Sequence, residues 1–455
     1  MQTKLIEQIK GWTPSSWKNY NINQQPEWPN LDKYNDIINK LSKMPQLISG
    51  GEIVQLKNRL KEVEKGESFI LQGGDCAETF TNFKSNIIKD QLKILLQMAS
   101  VISYGASTNI LKIGRIAGQF AKPRTNDFEI INGKKCYTYR GDAVNSIKQD
   151  YLSRIPDPER LLVAYNHSVG TLNLIRGFIE GGFTDISLAK EWNLEFMKNS
   201  DQGKKYQELS NKIIESINFI KAIQNEDNIN TKLKKFNEFY ISHEGLLLDY
   251  EQALTRYDSA SSKWYASSSH MLWVGNRTNS IDGAHVEFLS GVANPIGVKI
   301  GPGTNPDYLI DLVMKLNPLG EHGKIILIIR IGADRIDKEL PFLINAVAST
   351  ALPVIWVCDP MHGNTFKTDE GIKTRDFNTI LKEIKAFFRI HYSLGTIPGG
   401  IHFELTGENV TDCIGGSKNI STTELKKRYE TACDPRMNND QSLEMAFLVN
   451  QLLTK

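Results

Sequence analysis

The sequence predicts an α/β protein: a (β/α)8 TIM barrel with an N-terminal arm and an inserted helical segment. Three observations lead there. Short apolar runs alternate with helical stretches, the pattern of a parallel sheet covered by helices. Nine such runs occur, and the weakest, 185–190, carries no reactive tip; the eight that remain are the number that closes a barrel. Each of the eight runs into a charged or nucleophilic residue: Cys76, Arg115, Glu244, Arg277, Lys299, Arg330, His362 and Glu404. In such barrels the C-terminal strand ends carry the active site. A doubly wound open sheet is the alternative, but it gathers polar tips mainly at one switch point.

Residues 1–50 read as an arm, and 51–455 as the catalytic barrel. Trp12, Trp17 and Trp28 stand among Pro, Asn and Gln, and indoles require burial. Their expected seat is the chain's own barrel, with a subunit interface as the alternative. Helices are expected at 31–42 and at 51–65, where Ile53, Leu56, Leu60 and Val63 share one face. The run from Ser68 turns at Gly73-Gly74 and presents Asp75 and Cys76. After a helix at 86–104, the run 109–115 ends on Arg115 and enters a basic loop with Lys122, Arg124 and Thr125. Residues 126–150 read as irregular, 158–180 as a helix, and 192–233 as a charged helical insertion.

Strands are then expected at 239–244, 271–277, 296–302, 325–330, 354–357 and 400–404. Helices are expected at 306–316, 340–349, 377–391 and 442–453. The most telling stretch is Leu352 to Thr365. The apolar run Val354–Val357 suits a strand buried on both faces, and the chain then turns polar at Asp359, His362 and Asn364.

A 40 % hydrophobic, 23 % charged chain of 455 residues with net charge +2 has ordinary globular composition. It offers no electrostatic reason to expect nucleic acid or an anionic membrane as partner. Apolar runs fall short of the roughly 20 residues of a membrane helix. The first residues, with Lys4, Glu7 and Lys10, lack a signal peptide's apolar core. Five scattered cysteines argue against a disulfide framework and for a reducing, cytoplasmic setting.

The tips separate into two chemical sets. Cys76, His362, Glu404 and, just past the last strand, Asp434 combine thiolate, imidazole and carboxylates. Such mixed softness suits one borderline divalent ion (Mn2+ or Co2+ foremost, with Zn2+, Fe2+ and Cd2+ also accommodated), acting as a Lewis acid on a carbonyl oxygen. Taken singly, each reads more simply as an inert core residue; their shared position at strand ends carries the case. The second set is basic: Arg115, Lys122, Arg124, Arg277, Lys299, Arg330 and Lys373. Cations crowded at one barrel mouth repel unless anions bind there, so more than one phosphate, and a carboxylate, are expected as load.

Several long motifs carry a resemblance. They are Gln24-Gln-Pro-Glu-Trp-Pro29, Leu71-Gln-Gly-Gly-Asp-Cys-Ala-Glu78, Gly114-Arg-Ile-Ala-Gly-Gln-Phe-Ala-Lys-Pro-Arg124, Asp282-Gly-Ala-His285, Asp359-Pro-Met-His-Gly-Asn-Thr365, Leu405-Thr-Gly-Glu-Asn-Val-Thr411 and Cys433-Asp-Pro-Arg436. Together they resemble the class II (plant-type) 3-deoxy-D-arabino-heptulosonate 7-phosphate (DAHP) synthases over almost the whole chain. The resemblance implies a metal-dependent transferase that condenses phosphoenolpyruvate with erythrose 4-phosphate, the first step of the shikimate pathway. It implies Cys76, His362, Glu404 and Asp434 as metal ligands, and Arg115, Arg277, Lys299 and Arg330 as the phosphoenolpyruvate site. Lys122, Arg124, Thr125 and Lys373 fall to the aldose phosphate, and Glu244 lies near the substrates. The chain departs from the family pattern at Asn276 and Asn279, where the family usually has Glu-Arg-Thr-Arg, so a carboxylate is missing beside the phosphoenolpyruvate site. It departs again after Arg330, in Ile331-Gly-Ala-Asp-Arg335.

The arm and the 192–233 segment match family regions tied to oligomerisation and aromatic amino acid feedback, which implies a homo-oligomer, dimer or tetramer, with such an effector. Cys433, next to a proposed ligand, is expected near Cys76 as an oxidation-sensitive pair. Two other functions fit less of the pattern: a sibling condensation on another aldose phosphate, such as the amino-sugar analogue, and a non-catalytic regulatory homologue.

Overall fold

A computed structural model describes residues 11–194, 197, 198, 200–223 and 235–454. Eight parallel strands close into a barrel: β1 (Ser68–Gly74), β2 (Asn109–Arg115), β3 (Tyr240–Glu244), β4 (Met271–Val274), β5 (Ile296–Ile300), β6 (Ile325–Ile329), β7 (Ile355–Cys358) and β8 (Pro398–Glu404). Their order round the barrel follows the chain, and it closes where β1 pairs with both β2 and β8, Gln72 lying opposite Ile113 and His402. These are the eight strands expected, and residues 186–192 form a 3-10 helix instead of a ninth.

Side chains alternate across a strand, and here alternation separates two cores. Ile70, Leu111, Ile113, Tyr240, Met271, Trp273, Ile326, Ile328, Ile355 and Val357 fill the lumen. Leu56, Leu60 and Val63 of helix α2 (Gly50–Glu64) join that cluster and plug the N-terminal end of the barrel. Ser49 and Glu52 start α2 with reciprocal hydrogen bonds. The opposite strand faces, such as Leu272, Val298, Leu327 and Trp356, pack outward with residues of the helical ring. One lumen position beyond the apolar layer, the same period brings in Gln72, Ser242, Lys299 and His402, then Arg115, Glu244 and Glu404 at the strand ends. The chain therefore has an apolar lumen below and a polar one above.

The arm packs on the barrel. Trp12 is buried against Phe288 and Trp264 and donates to the Glu287 carbonyl at 2.9 Å; Trp17 donates to Gln252 at 2.9 Å. Trp28 stacks on Tyr34 of helix α1 (Leu31–Ser42) at 4.9 Å. Farther along, the Gln24 side chain accepts from the Arg124 amide at 2.7 Å, so the arm reaches the barrel mouth.

Residues 126–150 are not irregular throughout. Phe128–Ile131 and Lys134–Tyr137 form an antiparallel hairpin, turning at Asn132-Gly133, both with positive φ. That dipeptide favours a tight hairpin turn, a signal outweighed on reading by the surrounding polar residues. The expected fourth strand also stops early, at Val274, because the chain turns through Gly275 with Thr278 donating to the Gly275 carbonyl. Within the 192–233 segment, helix Asp201–Ile223 is present, and 224–233 lie outside the described residues, as does the 1–10 stretch. No helix among the described residues is long and apolar enough to cross a membrane.

Candidate functional site

A cavity of about 410 Å³ opens at the C-terminal strand ends. Its walls bring together nearly every residue singled out from the sequence: Arg115, Lys122, Arg124, Thr125, Glu244, Asn276, Arg277, Lys299, Arg330, His362, Lys373 and Asp434. A larger cavity of about 830 Å³ lies at the other end, around Lys57, Glu321 and Pro353, and contains none of the strand tips.

His362, Glu404 and Asp434 each offer a donor atom, all within 4.8 Å of one another. Two donors held about 2.3 Å from one ion are at most roughly 4.6 Å apart, so the set is close to closed already. The imidazole Nε2 of His362 is 3.0 Å from Glu404 Oε1, and its Nδ1 faces Asp359 at 2.8 Å. A carboxylate behind a histidine fixes the tautomer that leaves Nε2 free as a ligand. Cys76 adjoins the set: its Sγ accepts from the Asp434 amide at 3.3 Å and lies 3.4 Å from Thr431 Oγ1. Burial would raise the Cys76 thiol, but the hydrogen bond from Cys433 and the charge of Lys122 bring it below its ordinary value. Thiolate, imidazole and two carboxylates fit a borderline divalent ion.

Cations surround these acids. Glu404, fully buried, receives Arg115 Nη2 at 3.0 Å, Lys122 Nζ at 3.3 Å and Arg375 Nη1 at 2.8 Å. Burial alone would raise its carboxyl; His362, Lys122, Arg375 and Arg115 more than offset this and hold it well below the usual range. Asp434 pairs with Lys122 at 3.0 Å and with Lys373. Lys299 pairs with Asp359, yet burial brings its ammonium down to about 8. Arg277 is exposed and donates to Thr125 Oγ1 at 3.1 Å. Glu244 differs from the other acids: burial raises its carboxyl against the pull of Lys122, Lys299 and Arg115, and its Oε1 has no hydrogen-bond partner. Asn276 turns its Oδ1 to the Gly301 amide at 3.1 Å and brings no charge to this wall.

Sequence reading missed four contributors. Asp359 orients His362 and pairs Lys299; its spacing of three from His362, on the same turn, was the available signal. His402 sits two residues before Glu404, so strand periodicity points both into the lumen. Arg375 and Glu78 lie outside the barrel strands and give no such signal. Glu78 accepts three successive amides, from Ala117, Gly118 and Gln119, at 2.8–3.0 Å, and so shapes the basic loop.

A (β/α)8 barrel whose mouth couples a compact donor set to a ring of cations defines an enzyme for small, multiply anionic substrates. Comparison with known proteins narrows the class. The profile of the Class-II DAHP synthetase family matches residues 12–450, and the chain belongs to that family. It is 46 % identical over 440 residues to the phospho-2-dehydro-3-deoxyheptonate aldolase of Streptomyces coelicolor, covering 96 % of each chain. It is 44 % identical over 436 residues to the phospho-2-dehydro-3-deoxyheptonate aldolase AroG of Mycolicibacterium smegmatis, covering 94 % of this chain and 92 % of that one.

Proposed function

We propose that this chain condenses phosphoenolpyruvate with erythrose 4-phosphate to give DAHP and inorganic phosphate, the entry step to aromatic amino acid biosynthesis, with one divalent ion held by Cys76, His362, Glu404 and Asp434. Family membership and the names of the two relatives support the reaction. The observation that carries the rest is the juxtaposition of the His362, Glu404 and Asp434 donors with Arg115 and Lys122 across a single carboxylate, Glu404.

A bound ion of the Mn2+ or Co2+ kind supplies Lewis-acid polarisation of the aldehyde carbonyl. Arg115, Arg277, Lys299 and Arg330 bind the phosphate and carboxylate of phosphoenolpyruvate. Lys122, Arg124, Thr125 and Lys373 hold the aldose phosphate. C3 of phosphoenolpyruvate then meets the aldehyde carbon in attack geometry, an advantage that reaches about 7–11 kcal/mol in favourable systems. Water adds at C2, and phosphate leaves with cleavage of its C–O bond. Glu244, kept high by burial and facing the cavity, is suited to hold a proton beside the reacting carbons. The same reading carries a homo-oligomer, dimer or tetramer, an aromatic amino acid effector and a cytoplasmic setting.

The test is phosphoenolpyruvate consumption by the purified full chain with erythrose 4-phosphate, after chelation and after readdition of Mn2+ or Co2+, with and without Phe, Tyr and Trp. Turnover restored by the metal is expected. No turnover refutes the proposal, and a second aldose phosphate preferred in the same assay replaces the substrate. Light scattering reads the assembly.

A further inference from the structure

We propose that His402 is a positioning residue: as a neutral imidazole it uses one nitrogen lone pair to hold Arg115 and Lys299 side by side for an anion. The inference rests on the reading above, in which these two cations bind phosphoenolpyruvate.

Donors and acceptors along the lumen fix where the His402 proton sits. Ser242 Oγ donates to the Gly114 carbonyl at 3.1 Å and accepts from Gln72 Nε2 at 2.9 Å. With its amide NH2 engaged there, Gln72 turns its Oε1 to His402 Nδ1, 2.7 Å away. A carboxamide oxygen only accepts, so Nδ1 must carry the proton. In a neutral ring that leaves Nε2 as a bare lone pair. Two donors converge on it: Arg115 Nη1 at 2.6 Å and Lys299 Nζ at 3.1 Å. The residues come from β1, β2, β3, β5 and β8, so the relay crosses the lumen directly beneath the cavity. His402, Gln72 and Ser242 are fully buried, out of reach of bulk solvent. The Trp273 ring backs the group, 5.1 Å from the Arg115 guanidinium, 5.7 Å from Lys299 Nζ and edge-on to His402 at 5.6 Å.

Charge explains the choice of residue. Each cation already has one carboxylate on its far side, Glu404 for Arg115 and Asp359 for Lys299. A third carboxylate between them would cancel the positive charge that attracts substrate. An apolar residue would leave two mutually repelling cations without a common anchor. A neutral acceptor fixes both and cancels neither. Gln72 and Ser242, whose side-chain hydrogen bonds go to each other, to the Gly114 carbonyl and to His402, set its tautomer from behind.

The experiment uses the full chain loaded with Mn2+. His402→Leu removes the acceptor; His402→Gln keeps one within reach. In His402→Leu we expect KM for phosphoenolpyruvate to rise at least about tenfold, with kcat and KM for erythrose 4-phosphate within about threefold. His402→Gln should recover most of the loss, and Gln72→Leu should show a smaller rise in the same KM. Two-bond proton–nitrogen spectra of histidine-labelled enzyme carrying diamagnetic Zn2+ in place of Mn2+, assigned by the His402→Gln difference, should show the Nδ1–H tautomer at residue 402. An Nε2–H tautomer or an imidazolium overturns the inference whatever the cations bind. KM values unchanged for both substrates overturn it as well. A rise in KM for erythrose 4-phosphate alone keeps the anchor and removes the assignment of Arg115 and Lys299 to phosphoenolpyruvate. If His402→Leu does not fold, Gln72→Leu and the tautomer decide.

Discussion

The guanidinium of Arg330, just past β6, donates to the main-chain carbonyl of His362, just past β7, at 2.8 Å. The loops that carry them are locked further on. Asn364 Oδ1 accepts from the Ala333 amide at 3.0 Å, and Glu383 accepts from the Gly332 amide at 2.8 Å and from Asn364 Nδ2 at 2.6 Å. The two backbones touch at Gly332 and Gly363: a Cβ on Gly363 would lie 2.5 Å from the Gly332 nitrogen. One cation of the proposed phosphoenolpyruvate site and one proposed metal ligand are thus tied together through their loops.

Asn364→Ala, which reaches neither substrate nor ion directly, should therefore weaken both functions together. A group bonded directly to a ligating histidine, as Asp359 is to His362, is worth about 10–100-fold in metal affinity, and Asn364, further out, should act at or below the lower end. A loss of up to about tenfold by metal titration, with a parallel rise in KM for phosphoenolpyruvate, is expected. Loss of one property without the other would break the proposed coupling.

The barrel was legible because its signals are local. Alternation, strand length and a reactive residue after each run survive in a single sequence, and all eight strands follow from them. The cavity was legible for the same reason: a residue at the end of an inward-facing register, such as Arg115 or Glu404, cannot avoid the lumen. What escaped notice depends on contacts distant in sequence. Arg375 reaches Glu404 from a short strand pair outside the barrel, and Glu78 bonds amides about 40 residues away, with nothing in the local pattern to announce either. The hairpin at 128–137 was missed for a different reason: its turn signal, Asn132-Gly133, is clear, but its short strands are half polar.

The thiols of Cys76 and Cys433 act on each other beside the donor set, Cys433 drawing Cys76 down and Cys76 pushing Cys433 up, and Arg124 Nη1 lies 3.9 Å from Cys433 Sγ. Peroxide should convert the pair to a disulfide, two thiols yielding two protons and two electrons to give water. Expected are a mass loss of about two hydrogens, lowered metal occupancy and lost turnover, all reversed by dithiothreitol. Cys433→Ser should resist the loss. Full metal occupancy in the oxidised protein would show that Cys76 is not a ligand.

Three histidines outside the cavity set an acid limit on stability. Burial lowers His270 to about 4, His285 to about 4 and His391 to about 3. Unfolded, each regains a pKa of about 6.5. Between those values the unfolded chain binds more protons than the folded one, so stability falls as pH drops below about 6.5 and the penalty saturates below the folded values. Each histidine adds at most about 1.4 kcal/mol per pH unit. Urea midpoints measured from pH 7 to 4 should fall accordingly, and less steeply in His391→Gln. An identical slope in that variant would refute the assignment.

Gly291 ends the helix Ala284–Gly291, and its face is covered by the arm: a Cβ there would lie 2.0 Å from Trp12 Cδ2. The indole cannot yield sideways, because its Nε1 is bonded to the Glu287 carbonyl and its ring is packed on Phe288. Gly291→Ala should therefore lift the arm at a cost of about 1–3 kcal/mol, the usual range for overpacking. The consequence extends beyond stability. Gln24 of the same arm accepts from the Arg124 amide and receives Arg140 Nη1 on its carbonyl at 3.3 Å, so a lifted arm loosens the basic loop. KM for erythrose 4-phosphate should rise more than KM for phosphoenolpyruvate, three of whose proposed cations, Arg115, Lys299 and Arg330, sit on barrel strands or directly at their ends. Trp12→Ala, which empties the seat without a clash, should give the same ordering of the two KM values. Equal effects on both would mean that the arm stabilises the barrel as a whole without selectively ordering the aldose phosphate side.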